Sequence, residues 1–590
     1  MKKEEKDSAI KQKTEEMMEK KPVQKKTVII ACILAVVLVL GGIAVACIAG
    51  FGSNSGETQP TDPTEPPKVW RNGFIASVEA SASYYDAEGT QLGQFLRGTQ
   101  VQYYVSPEGQ IELNVDGVIV YLQEGASVVE DVVNVVPAHT LYVRTAVNLR
   151  TIDGKLIAED KHMPLADKGV AVRITGYDYM LEDGTVHMYQ VDLDGETGYI
   201  MPWYLVSDAE SALANYDDNG QYETHANRSD RYGGGGAANL DYFPREKGEI
   251  EGNVMPEECR TLYIASWCVG NIDQYLKAAK GSGINAFVVD IVDGTAVGYA
   301  SDVMKQYSPS AAKAASNTVE AYQAAIQKIK DAGYYVIGRI TTFNDTFFVK
   351  DHPECAILDN YGNPFKLHKV YWPTGYDRYA WQYKVDLAVE AVELMGFNEI
   401  QFDYVRFPDL TRKYEREGTI DYQNTYGETK AQAIQRFLMY ATDILHEKGV
   451  YVSADVFGEC SNSYVTAYGQ YWPAISNVVD AISGMPYPDH YPAEGDWKPW
   501  LHPYETLYRF GSSAMKRQSE TATPAVVRTW IQAHDAIQPP YNDYGVEELA
   551  AQIKGLRDSG CTGGYMTWLG GSSLTKYKKL MPAFTAPAEK

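Results

Sequence analysis

This chain is short of three things that would direct its reading elsewhere. Basic residues are in deficit, with 53 Lys and Arg against 77 Asp and Glu in 590 residues, for a formal charge of −24. Affinity for nucleic acid comes from Lys and Arg displacing counterions from phosphates, so no nucleic-acid partner is expected. Cysteine is scarce: of seven, Cys32 and Cys47 fall inside an apolar run, leaving Cys259, Cys268, Cys355, Cys460 and Cys561 beyond it. An odd number cannot pair completely within one chain, and no CxxC or Cys/His spacing suggests zinc, so a disulfide framework is not expected. The carboxyl-terminal half also lacks a Gly-rich turn after its first strand, which argues against a doubly wound nucleotide-binding sheet. Rings, by contrast, are plentiful. The 44 Tyr and 10 Trp suit sugar-binding surfaces and ordinary cores alike.

One long apolar run sets the expected compartment. Val28–Gly50 is 23 residues without a charge, preceded by Lys20-Lys21 and Lys25-Lys26. At about 1.5 Å per residue it spans a hydrocarbon core of about 30 Å. The basic flank predicts a cytoplasmic tail (1–27), a transmembrane signal anchor (28–50) and a single-pass cell-membrane protein with everything further on outside the cell. A secreted form cleaved after Ala44-Val-Ala46, or lipid attachment at Cys47, is the alternative. Residues 51–68, rich in Pro and Thr, read as a stiff linker. From 69 to 206, short alternating runs separated by turns such as Val115-Asp-Gly and Leu193-Asp-Gly predict two small β modules, 69–136 and 137–206. The order Val147-Asn-Leu-Arg150, Lys168-Gly-Val-Ala-Val, Gly195-Glu-Thr-Gly-Tyr-Ile resembles bacterial SH3-like domains. That resemblance implies contact with cell-wall peptides, spacer duty being the plainer role. Residues 207–257, with Gly233–Gly236, read as a Gly-rich linker, either a flexible hinge or partly wrapped on a neighbour.

From 258 to 585 strand-like and helix-like patterns alternate as βα units, which predicts a (β/α)8 barrel. Strands are expected near 261–266, 286–291, 335–341, 399–404, 450–456, 481–485, 526–531 and 564–568. Helices are expected between them, among them 272–280, 319–332, 381–395 and 431–448. Two strands end in a carboxylate, Glu399-Ile-Gln-Phe-Asp-Tyr-Val-Arg-Phe-Pro408 and Val450-Tyr-Val-Ser-Ala-Asp-Val-Phe-Gly-Glu459. A buried acid needs a reason. With a side-chain period of two and neighbouring strands about 4.8 Å apart, Asp403 and Asp455 would face one another near the ~5 to 5.5 Å spacing of retaining glycosidases. Asp403 is expected as nucleophile or base, held ionised by Arg406 if its loop turns inward. Asp455 is expected as proton donor, with Glu459 its competitor at a wider, inverting spacing. Other strand ends supply expected substrate-binding groups: Asp290, Arg339, Arg406, Tyr487, His490, Gln532 and Trp568. Asp290 and Asp293 could hold calcium, though two oxygen ligands fall far short of six to eight.

Several segments, in order, are similar to a bacterial family of glycoside-hydrolase-like barrels. They include Asn285-Ala-Phe-Val-Val-Asp290, Gly338-Arg-Ile-Thr-Thr-Phe343, the two strands above, Ile482-Ser-Gly-Met-Pro-Tyr-Pro488 and Arg528-Thr-Trp-Ile-Gln532. The resemblance covers roughly 259–570. It implies a glycosidase-type barrel distantly related to the α-amylase clan, with its nucleophile and acid at the ends of the fourth and fifth strands. The expected function is therefore hydrolysis of glycosidic bonds in a cell-wall or extracellular polysaccharide, with no cofactor required. A non-catalytic carbohydrate-binding protein on the same scaffold and a transglycosylase are the alternatives.

Overall fold

The computed structural model describes residues 68–584 apart from 159, 160 and 368. The expected tail, the anchor Val28–Gly50, the alternative lipid site at Cys47 and the linker through residue 67 lie outside the described residues. Among the described residues no helix is long and apolar enough to cross a membrane.

The carboxyl-terminal region is a nearly closed parallel barrel. Its strands are β1 (Cys259–Ile264), β2 (Ala286–Asp293), β3 (Tyr335–Thr341), β4 (Glu399–Asp403), β5 (Tyr451–Phe457), β6 (Ala481–Met485), β7 (Val526–Val527 continued by Thr529–Gln532) and β8 (Gly564–Trp568). They neighbour one another in chain order, with β8 returning to pair with β1. Strand β7 is broken at Arg528: its first half pairs with β6 and its second with β8. These strands are buried on both faces because helices cover the outside and side chains fill the inside, where polar groups such as Glu399, Gln401 and Ser453 alternate with the apolar outward positions. The covering helices begin and end where local chemistry dictates. Arg378–Met395 starts at Asp377, whose side chain accepts from Ala380 N–H, and stops at the left-handed Gly396. Lys430–Glu447 opens on a reciprocal Thr429/Gln432 capping box.

Two antiparallel β modules precede the barrel. The first is a seven-stranded sheet between Arg71 and Val129 with its own small core of Ile75, Ala82, Tyr103, Leu113 and Val120. The second is a five-stranded sheet between His139 and Val206 whose core residues, among them Val172, Ile174 and Val191, run continuously into the barrel's. The segment 207–257 is wrapped rather than free: Ala237, Leu240 and Tyr242 are buried against Val465, Tyr471 and Ala474. Its glycine run serves close approach. A Cβ on Gly234 would fall 1.9 Å from the Thr466 carbonyl oxygen, so only glycine lets the backbone pass.

Candidate active site

At the carboxyl-terminal mouth of the barrel, inward-facing positions recur every second residue: Gln401 and Asp403 on β4, Ser453 and Asp455 on β5, Trp530 and Gln532 on β7. Phe402 lies opposite Ala454, so the two aspartates that follow stand level on neighbouring strands. Between them and β2 reaches Arg339 of β3, which is almost wholly buried. Its guanidinium donates to Asp403 Oδ2 and, at 2.6 Å, to Asp290 Oδ1. It also stands 3.8 Å from Asp293 Oδ1 and 3.8 Å from Asp455 Oδ2. One positive charge thus faces four carboxylates.

Each acid has a different environment. Asp403 accepts at Oδ1 from the Tyr404 N–H at 2.6 Å, and both its oxygens point to donors suited to the ionised form. Tyr404 takes a left-handed conformation (φ 48°) immediately after Asp403, the kind of local strain that gathers at functional sites. Asp455 is fully buried; Oδ1 accepts from the Trp530 indole N–H at 2.8 Å while Oδ2 has no hydrogen-bond partner among the described residues. Burial, reinforced by the charge of Asp403, pushes its carboxyl well above the usual carboxylate range. Asp290 accepts from the Tyr263 hydroxyl and from Arg339, yet burial, with the charge of Asp293 adding to it, pushes it up to about 7. Asp293 is about one-third exposed.

Above this cluster lies a cavity of about 220 Å³ lined by Asp293, Arg339, Asp403, Tyr404, Arg406, Phe457, Met485, Tyr487, His490, Trp530 and Trp568. Its rings are set edge to face and stacked: Tyr487 lies 6.3 Å from Trp568 at 28°, and Trp568 is 5.7 Å from Trp530 at 88°. Such a lining offers stacking faces above polar groups that could orient a sugar.

The structure brings Asp403, Arg339, Arg406, Tyr487, His490 and Trp568 to the cavity wall; Asp290 and Asp455 do not line it but are bonded to two residues that do, Arg339 and Trp530. Four expectations need correction. Arg406 does not hold Asp403; it pairs with Asp409 at 3.2 Å and stacks on Phe457, and Arg339 is the cation on Asp403 instead. Gln532 is fully buried and spent on backbone, accepting from Asp489 N–H and donating to the His534 carbonyl, and it does not line the cavity. Glu459 is exposed and held by the hydroxyls of Tyr464 and Tyr468, off the cavity lining. Nor do Asp290 and Asp293 face a calcium-like site: the cation between them is the Arg339 guanidinium, 2.6 Å from Asp290 Oδ1 and 3.8 Å from Asp293 Oδ1. Trp530 and Tyr263 were missed. The period of two from Gln532 would have pointed to Trp530, but nothing in β1 marks Tyr263 as a partner of β2.

A parallel barrel whose mouth gathers carboxylates, one shared guanidinium and stacking rings defines the class of glycoside-hydrolase-type barrels. Residues 261–573, more than half of the chain, match the family described as "Putative glycosyl hydrolase domain". The chain belongs to that family. Among solved structures it is similar to a hypothetical protein from Ruminiclostridium thermocellum, at 32% identity and TM-score 0.28 over 33% of this chain and 97% of that one. It is similar also to the PgaB (BpsB) glycoside hydrolase domain from Bordetella bronchiseptica, at 13% identity and TM-score 0.42 over 56% and 100%. A third is the chitobiase of Flavobacterium johnsoniae, at 10% identity and TM-score 0.37 over 55% and 48%. No curated protein matches.

Proposed function

We propose that this protein hydrolyses glycosidic bonds in a cell-wall or other extracellular polysaccharide, working from the outer face of the membrane to which Val28–Gly50 anchors it. The two β modules, read as SH3-like, would hold the barrel at the envelope. The observation that carries the reading is the unequal pair Asp403 and Asp455, level on adjacent strands and sharing Arg339. Glycoside hydrolysis needs one carboxylate ionised and one protonated. Asp403, bonded by a guanidinium and a backbone N–H, is the nucleophile or base. Asp455, buried and short of donors, is the proton donor. The ion pair does not spend Asp403, because Arg339 is shared with Asp290 and each carboxylate oxygen keeps a second lone pair. Transfer to a sugar acceptor would use the same groups with a hydroxyl in place of water.

One observation favours a second assignment of the acid. Asp455 is sealed beneath Trp530 and does not line the cavity, whereas Asp293 does. Measuring release of reducing ends from purified wall and capsule glycans by Asp403→Asn, Asp455→Asn and Asp293→Asn variants separates the two. Asp403→Asn should lose at least about 100-fold in rate. A comparable loss in Asp455→Asn with Asp293→Asn nearly intact supports the first assignment, and the reverse supports the second. Unchanged turnover in Asp403→Asn removes the mechanism altogether.

A further inference from the structure

Beside the cavity, three side chains form a cluster that the hydrolytic reading does not use. Asp489 and His490 sit in the turn Pro488–His490 after β6, and His534 follows β7. Their potential ligand atoms all lie within 4.8 Å of one another. Asp489 is only 1% exposed, and its Oδ1 has no hydrogen-bond partner among the described residues. A buried carboxylate oxygen left without a donor is costly and calls for an explanation. The groups that face this carboxylate are imidazoles: His490 Nε2 at 3.7 Å from Oδ1, and His534 Nε2 at 3.1 Å from Oδ2. Oδ2 also receives a long bond from the Ile537 N–H, and no Lys or Arg pairs with Asp489 among the described residues.

We propose that Asp489, His490 and His534 bind a divalent transition-metal ion of the zinc class. Two imidazoles and one carboxylate make a borderline donor set that suits Zn²⁺, Co²⁺ or Ni²⁺ and is too poor in oxygen for Ca²⁺ or Mg²⁺. Three protein ligands leave at least one coordination position for water or a ligand oxygen. The position is informative. His490 is a wall of the cavity, and its ring lies 5.1 Å from Tyr487, so a metal held there stands at the edge of the space a sugar would fill. The supporting groups are already in place: the Gln532 amide bridges the Asp489 N–H and the His534 carbonyl, and the Gln538 amide donates to the Asp489 carbonyl. Buried Gln532 thereby ties the two loops that would supply the ligands, as groups behind a metal's ligands commonly do. No local sequence spacing announces the site, because its members come from two loops brought together only by barrel closure. The inference does not depend on the hydrolase reading.

The test uses the full chain, stripped with a chelator and titrated with Zn²⁺ by calorimetry, then with Co²⁺ by visible absorption. One Zn²⁺ per chain is expected, together with the d–d absorption of low-symmetry Co²⁺ lacking thiolate charge-transfer bands. His490→Ala, which removes an exposed ring and should leave the circular dichroism spectrum unchanged, is expected to weaken Zn²⁺ binding at least 10-fold. His534→Ala is expected to abolish binding, and Gln532→Ala to weaken it about 10–100-fold. Zn²⁺ binding absent from the unaltered chain, equal in His490→Ala and His534→Ala, or accompanied by thiolate bands, would overturn the proposal.

Discussion

Arg339 is one cation among four carboxylates, and the arithmetic of charge at that point decides how the molecule responds to pH. A carboxyl that is buried and not fully compensated holds its proton in the folded state and gives it up near pH 4 once unfolded. Asp290, pushed up to about 7, and Asp455, pushed well above the usual carboxylate range by burial and the charge of Asp403, both behave this way. Between those limits the folded state binds more protons than the unfolded one, so stability falls as pH rises from about 4 through 7. Asp455→Asn mimics the protonated form and keeps an acceptor for the Trp530 indole N–H. Urea midpoints should therefore be nearly equal for the variant and the unaltered chain at about pH 4, with the variant clearly the more stable at about pH 8. A variant destabilised equally at both pH values would mean that Asp455 is ionised in the folded protein and is not the proton donor.

At the scale of the element, the seventh strand carries the most telling irregularity. Its halves serve different neighbours, and the handover residue Arg528 donates its backbone N–H to Ile482 while its side chain crosses the barrel floor to Glu399. Nη1 meets both Glu399 oxygens at 2.8 and 2.9 Å, and Ser453 and Tyr335 hydroxyls complete the carboxylate. Both charges are fully buried, and Nε and Nη2 of Arg528 have no partner among the described residues. Removing one partner of such a pair strands the other. Arg528→Met should cost about 3–5 kcal/mol in urea denaturation, and Arg528→Met with Glu399→Gln should recover much of it. If the double variant is no better than the single, the arginine acts through packing alone. The eight strands themselves were legible in the sequence, because short runs such as Ala286–Val289 and Tyr335–Gly338 are continuously apolar and lead into the polar groups Asp290 and Arg339. Long-range pairing was not. Arg406 looked like the partner of Asp403 because it is three residues away, but the left-handed turn at Tyr404 sends it to Asp409, and the true partner comes from the neighbouring strand. Likewise Gly233–Gly236 reads as slack in a sequence and as clearance in a packed chain, a distinction that rests on what lies 2 Å away.

Considered whole, the described chain is not a barrel with two equal appendages. The second β module shares a continuous core with the barrel, and buried polar bonds fasten it there. Asp443, on a barrel helix, accepts from Arg150 at 2.5 Å and Tyr204 at 2.8 Å in the module, and from Arg245 at 2.6 Å in the wrapped segment. Arg378, fully buried, donates to Asn148 at 2.9 Å, and the Gln382 side-chain oxygen accepts from the Leu156 and Ile157 N–H groups. The first module keeps a core of its own and touches the second through fewer bonds, among them Arg97 Nε to the Gly184 carbonyl. Removing residues 1–136 should therefore leave the thermal midpoint of the remainder within roughly 2 °C of the full chain. Removing residues 1–206 strips Asp443 of two of its three partners, leaves Arg378 without Asn148, and bares Trp381, Met439 and Tyr440. Losing partners of buried charges costs about 3–5 kcal/mol, which at roughly 2–4 °C per kcal/mol predicts a fall of at least 6 °C by calorimetry. Equal midpoints for the 137–590 and 207–590 fragments would make the second module a passenger; the predicted gap makes it part of the barrel's folding unit, with the first module set apart on its own core.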